Sequence, residues 1–318
     1  MSLSASSRSM VADSSRALSL SCSQRKRWSM FSMQSRGWVG AATTKPRAAR
    51  AAAVSWKEKR VPDEGWESRI KGKRPGTVAI AAAIMKEFKV EVVPHVICGG
   101  QTIEQVENIL VDLNFLGIEN IMALRGDAIP GEKYFSPTPG GHSHTDQLIR
   151  QIERMNKGEY LDSSIKNAVP TSFCIGAAGY PEKHCEAPNL KEDIEHLKTK
   201  VEAGAGYIVT QMFFNNQSYF NFVKECREAG IRVPIIPGIK PISTKKHIEL
   251  LPRAFSIDLP EDLISETNKC KDNKEIYRVG VEWSITQCKE LLAKGCPAIH
   301  FYTMGKAENV QEIVKQLF

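Results

Sequence analysis

A chain of 318 residues with 42% hydrophobic and 25% charged side chains has the make-up of an ordinary soluble globular protein. No apolar run approaches the roughly 20 residues needed to cross a bilayer, which argues against a membrane protein. The net charge of +7 sits at the front: residues 1 to 60 carry twelve Lys or Arg against Asp13 and Glu58, so the other 258 residues sum to −3 and no nucleic-acid surface is expected. The eight cysteines form no C-x-x-C pair. They are expected as reduced, mostly buried thiols, with no metal site.

Residues 1–55 are rich in Ser, Ala and Arg, nearly free of acid, and lack hydrophobic periodicity. Such a segment buries too little apolar surface to offset its chain entropy, and its composition fits a transit peptide. The expectation is a disordered tail and a mitochondrial or plastid destination, or the cytoplasm if the tail is no transit peptide. Residues 56–318 are expected to form the folded domain. Order begins near Lys73-Arg74-Pro75-Gly76, followed by a helix over Thr77–Phe88.

Beyond it, short β-branched runs alternate with amphipathic stretches, the signature of βα units and a parallel sheet. Strands are predicted at Val90–Cys98, Asn120–Leu124, Ser172–Ala178, Tyr207–Met212, Val233–Pro237 and Ala298–Thr303. Helices are predicted at Ile103–Leu116, Thr145–Asn156, Leu190–Ala203, Gln217–Ala229, Thr244–Leu251, Val281–Ala293 and Glu308–Leu317. Six such units make an α/β fold, a (β/α)8 TIM barrel whose first one or two strands are missing or diverged. No G-x-G-x-x-G follows an early strand to favour a doubly wound sheet. Residues 1–73 offer no clear strand pair, and Ala51–Trp56 is the nearest candidate for one strand.

Barrel active sites lie at the C-terminal ends of the strands. Polar groups recur there: His95 in Pro94-His95-Val96, the Leu124-Arg125-Gly126-Asp127 run, Tyr180-Pro181-Glu182-Lys183-His184, Thr210-Gln211-Met212-Phe213-Phe214, Gly238-Ile239-Lys240-Pro241, and His300-Phe301-Tyr302-Thr303. Singly each reads as a turn former or a satisfied core polar group. Their convergence on one rim points to a ligand site.

These segments, with Lys200-Val201-Glu202-Ala203-Gly204-Ala205 and Ile236-Pro237-Gly238, resemble the catalytic barrel of the methylenetetrahydrofolate reductases in its single-domain bacterial form, in order and from about Arg74 to Phe318. The resemblance implies FAD-dependent reduction of 5,10-methylenetetrahydrofolate to 5-methyltetrahydrofolate, in which NADH or NADPH reduces the flavin in a ping-pong cycle. FAD contacts would come from His95, Arg125, Gly126, Tyr180, His184, Asp193 and Lys200. Asp127 would lie beside flavin and pterin as the catalytic carboxylate, Gln211 would bond the pterin, and Lys306 would meet the glutamate tail of folate. Folate is the implied partner, and homo-oligomer formation stays open.

Two departures shape the expectation. The family's first-strand glutamate, its general acid, has no counterpart beyond a loose imitation at Glu58. The chain also shows no S-adenosylmethionine-binding C-terminal domain, so inhibition by that route is not expected. Rival readings are a flavin-binding barrel without the folate step and an aldolase-type barrel, for which Lys240 is the loose Schiff-base candidate.

Overall fold

The computed structural model describes residues 31–34, 37–43, 75–128, 134–304 and 307–318. Six parallel strands form a curled sheet: β3 (Val92–Ile97), β4 (Asn120–Leu124), β5 (Cys174–Gly179), β6 (Tyr207–Met212), β7 (Ile235–Ile239) and β8 (Ala298–Tyr302). An antiparallel pair, β1 (Phe31–Gln34) and β2 (Gly37–Thr43), joins the two edges. β1 runs parallel to β3, whereas β2 runs antiparallel to β8, and the eight strands close.

The six regular βα units and the diverged front expected from the sequence are both present; only an all-parallel closure is not, because β2 runs antiparallel to its neighbours. Six units are parallel βα units, and a hairpin-like pair stands where the first two would be. Strand pairing also falls within residues that offered no strand signal, because strands of four and seven residues rich in small side chains carry no amphipathic rhythm. Ala51–Trp56, Glu58 and the remainder of the expected tail lie outside the described residues.

Nine helices occur among the described residues: α1 (Thr77–Phe88), α2 (Ile103–Phe115), α3 (Thr145–Asn156), α4 (Leu190–Glu202), α5 (Asn216–Glu228), α6 (Lys245–Phe255), α7 (Glu261–Lys269), α8 (Asn273–Ala293) and α9 (Glu308–Leu317). Their starts are fixed locally. Thr102 caps α2 in a reciprocal box with Gln105, Asn189 caps α4, and Asp272 accepts from the backbone of Lys274 and Glu275 at α8. Each such cap is worth about 1 kcal/mol. Among the described residues no helix is long and apolar enough to cross a membrane.

Three helix assignments differ from expectation, the mildest being α6, which runs on through Pro252 to Phe255 instead of ending at Leu251. α7 buries only Leu263 and Thr267, too sparse a stripe to read as periodicity. α8 begins eight residues before the expected Val281 and runs through Gly280. A Cβ there would collide with the backbone of Ile242, so the glycine permits close helix packing.

Apolar layers cover both sides of the sheet. One outer layer packs α1, α2 and α3 residues such as Leu110, Leu113, Ile149 and Ile152 against β3 to β5. The other packs Phe222, Val281, Ile285, Leu291 and Ile313 against β6 to β8. Inside, Val93, Met122, Cys174, Tyr207, Val209, Ile236 and Ala298 fill the barrel. Tyr207 crosses this floor and donates its hydroxyl to the Ile121 carbonyl at 3.0 Å. Its ring fits because residue 176 is glycine; any Cβ there would overlap it. A filled floor leaves the upper rim as the place where a ligand can sit.

Candidate active site at the barrel mouth

The loop after β4 places Arg125 on the rim with its guanidinium paired to Glu186 through two bonds, 2.7 and 2.6 Å long. Phe135 lies under the same group, 5.0 Å from ring centroid to Cζ. The pair is partly exposed, with side chains 24% and 36% accessible, so it contributes only about 1 kcal/mol. Its electrostatic mark is clear: hydrogen bonding from Arg125 lowers the Glu186 carboxyl, and Glu186 raises the guanidinium. Gly126 follows at φ 92°, which an L side chain would resist, and brings bare backbone to the mouth beside Ile97. Asp127 continues this run.

The loop after β5 carries the densest cluster. Tyr180 and His184 meet edge to face with centroids 4.7 Å apart. The His184 backbone N–H donates to Asp193 Oδ2 at 2.9 Å, and its Nδ1 accepts from the Glu186 N–H at 3.1 Å. Burial lowers the His184 imidazole, opposed by Asp193 and Glu186. Between them Lys183 adopts φ 81° and is held there by donating Nζ to the His184 and Ala187 carbonyls. Such a conformation costs on the order of 1–3 kcal/mol and persists only where the surroundings hold it.

Asp193 and Lys200 lie seven residues apart on α4 and share its inward side, as expected from the helical period. Asp193 is buried, and its charge raises the Lys200 ammonium against the larger lowering caused by burial. Lys200 donates to the Ala178 carbonyl at 3.3 Å and lies 5.9 Å from the Tyr180 ring.

Across the barrel the character changes. His300 on β8 is buried and packs edge to face on Tyr302, 4.8 Å between centroids. Tyr302 donates to the Thr210 carbonyl at 2.7 Å, and Thr210 Oγ1 accepts from the Gly238 N–H at 3.0 Å. Burial pushes the His300 ring down to about 3, with His95 adding to the effect, and takes His95 down to about 3 as well. Gln211 is half-buried, its Oε1 accepting from the Met212 N–H at 2.9 Å. Lys240 is 3% exposed at the end of β7.

The structure thus gathers Arg125, Tyr180, His184, Asp193 and Lys200 into one contact network, with Gly126 and Asp127 on the same loop as Arg125. His95 is on β3, the strand beside β4, and lies close enough to His300 to act on its charge; Lys306 lies outside the described residues. A groove along α7 is lined by one helix alone, Glu261, Ile264, Ser265, Asn268 and Lys269, with nothing converging from a second element. Among the described residues no group of three His, Cys, Asp or Glu could hold a metal.

A profile of the methylenetetrahydrofolate reductase family matches residues 63–318. The chain belongs to this family. It is 33% identical over 243 residues to the probable methylenetetrahydrofolate reductase (NADPH) of Caenorhabditis elegans, and 33% over 251 residues to methylenetetrahydrofolate reductase (NADH) 1 of Arabidopsis thaliana. These matches cover 75% and 76% of this chain but 34% and 40% of those proteins. Identity to the 5,10-methylenetetrahydrofolate reductase of Escherichia coli is 32% over 238 residues, 74% of this chain and 73% of that one. The chain thus spans well under half the length of these eukaryotic methylenetetrahydrofolate reductases.

Within this methylenetetrahydrofolate reductase barrel, sequence reasoning missed Glu186 and Phe135 as the partners of Arg125. Their pairing depends on how two loops fold back, for which spacing gives no signal. Glu182 belongs to the Tyr180–His184 run. It accepts the Asp258 N–H at 2.9 Å and ties the β5 loop to the segment after α6.

Proposed function

We propose that this chain reduces 5,10-methylenetetrahydrofolate to 5-methyltetrahydrofolate, using NADH or NADPH and FAD bound at the barrel mouth. The observation that carries this reading is the joining of Arg125, Tyr180, His184, Asp193 and Lys200 in one network on β4, β5 and α4 of a chain in this family. The donor set suits FAD. Arg125 and Lys200 bring two cations for a diphosphate, one a planar fork and one a point charge. Tyr180 and His184 bring ring faces and edges, and the backbone at Gly126 lets a flat ring approach closely.

FAD would supply the hydride acceptance and donation that no side chain offers. The protein's part is positioning and electrostatics. Arg125 would exchange Glu186 for phosphate oxygens, and Asp193 holds the His184 loop in place. Asp127 would set a negative charge beside the reacting rings, favouring cationic character on the folate over extra electron density on its neighbour. Gln211 offers donor and acceptor to the pterin edge once its amide turns from Met212. The basic, acid-poor front of the chain supports import into a mitochondrion or plastid as part of this proposal.

The test is spectroscopic. Purified full-length protein should be yellow, bleach with NADH or NADPH, and regain flavin absorbance on addition of methylenetetrahydrofolate. Bleaching without reoxidation would sink the folate step and leave a flavin-binding barrel.

A further inference from the structure

Three mouth lysines differ in how their charge is met. Lys183 donates to two carbonyls, and Lys200 has the Ala178 carbonyl, the Tyr180 face and the charge of Asp193. Lys240 has no ion pair or hydrogen bond among the described residues, although it is 3% exposed. Burial alone takes its ammonium down to about 8, and no charged neighbour contributes.

Its direction follows from β7. Ile235 and Ile239 pack outward against the helices. Ile236 packs in the barrel interior, and Gly238 abuts Tyr302 and Thr210 from across the sheet. Lys240 continues the inward row and therefore heads the mouth on the β7 side. At this level the flanking strands present neutral groups, Gln211 on β6 and Tyr302 on β8, each already bonded to backbone. Burying a cation with no counter-charge is costly, and replacing it with an apolar side chain of similar length would relieve the cost. A lysine at such a position is expected where a ligand completes its bonding.

We propose that Lys240 is a ligand-binding residue, a cationic subsite that donates an N–H to the lactam carbonyl or an electron-rich ring nitrogen of the heteroaromatic ring seated in the mouth. This rests on the function proposed above, under which both an isoalloxazine and a pterin carry that chemistry. Lys240 serves as a charge and a donor, and forms no covalent bond.

The experiment uses full-length protein with FAD, comparing wild type with Lys240→Met and Lys240→Arg. Measured are FAD affinity, the flavin midpoint potential, kcat and KM for methylenetetrahydrofolate, and thermal melting. If Lys240 faces the flavin, Lys240→Met lowers the midpoint potential and weakens FAD at least about tenfold, the loss expected for one charge-assisted bond. If it faces the pterin, the flavin readouts hold while KM rises about tenfold with kcat little changed. Either result supports the proposal, provided Lys240→Arg retains most of the wild-type value. Lys240→Met should melt no lower than wild type.

Unchanged ligand readouts in Lys240→Met overturn the proposal. So does a lower melting temperature with intact ligand binding, or a Lys240→Arg variant as impaired as the methionine. A wild-type chain that takes up no flavin overturns the functional reading and this inference together; normal wild-type chemistry beside an unaltered Lys240→Met overturns this inference alone.

Discussion

The β4–β5 side of the mouth and the β7–β8 side handle charge in opposite ways. On the first, Arg125 has Glu186, Lys200 has Asp193 and a carbonyl, and Lys183 has two carbonyls. On the second, His300, Tyr302 and Lys240 are packed among neutral groups, and burial holds the imidazole and the amine toward their uncharged forms. A side with answered charges keeps its shape without a ligand and binds an anion by exchanging partners. A side of neutral groups around one unanswered ammonium suits a flat ring that offers that ammonium an acceptor.

The largest expected effect separating the two sides is acid instability. His300 and His95 ordinarily titrate near 6.5 but are held to about 3 in the fold, so the unfolded chain binds more protons between these values. Their contribution is complete above pH 6.5 and is lost as pH falls toward 3. One ring should cost on the order of 3 kcal/mol by about pH 4. Urea unfolding from pH 7 to pH 4 measures this, and His300→Asn should flatten a large part of the slope. His184 is also lowered by burial, but Asp193 and Glu186 oppose that, so its share should be smaller. An unchanged slope in His300→Asn would erase the contrast.

Next in size is Arg125→Ala, expected to weaken FAD about a hundredfold through loss of a bidentate, charge-assisted contact. Fluorescence titration of flavin reads it, and a loss under threefold would move the diphosphate elsewhere. Gly238→Ala tests the other side by shape. Its methyl group would press on the Thr210 carbonyl and the Tyr302 ring, costing about 2 kcal/mol in denaturant unfolding. The smallest effect should come from Glu186→Gln, which frees Arg125 without removing it. FAD affinity should rise by about threefold while stability falls by less than about 1 kcal/mol. A fall in affinity would make Glu186 part of the site rather than a placeholder.

Much of this was legible in the sequence. β4, β6, α3 and α9 fall on the residues expected, because each buries a regular stripe or a continuous apolar run. Gly117, Gly204 and Gly230, each just past the end of a helix, all take positive φ, the conformation that a helix-ending glycine supplies. Arg125, Tyr180 and His184 stand out at strand ends, whereas Asp193 and Lys200 are singled out by the family resemblance, the helical period only placing them on one side of α4. What failed to show were features without local rhythm: the closing strand pair, α7 with its two buried residues, and Gly280 used for packing. Lys240 could be noted from its strand end only as a nucleophile. That no acid among the described residues answers it depends on what the neighbouring strands present.

The floor built by Tyr207 across Gly176 carries one more consequence. With the interior filled below, the strand ends are the open end of the barrel, so whatever meets His95, His300 and Lys240 approaches from that one end.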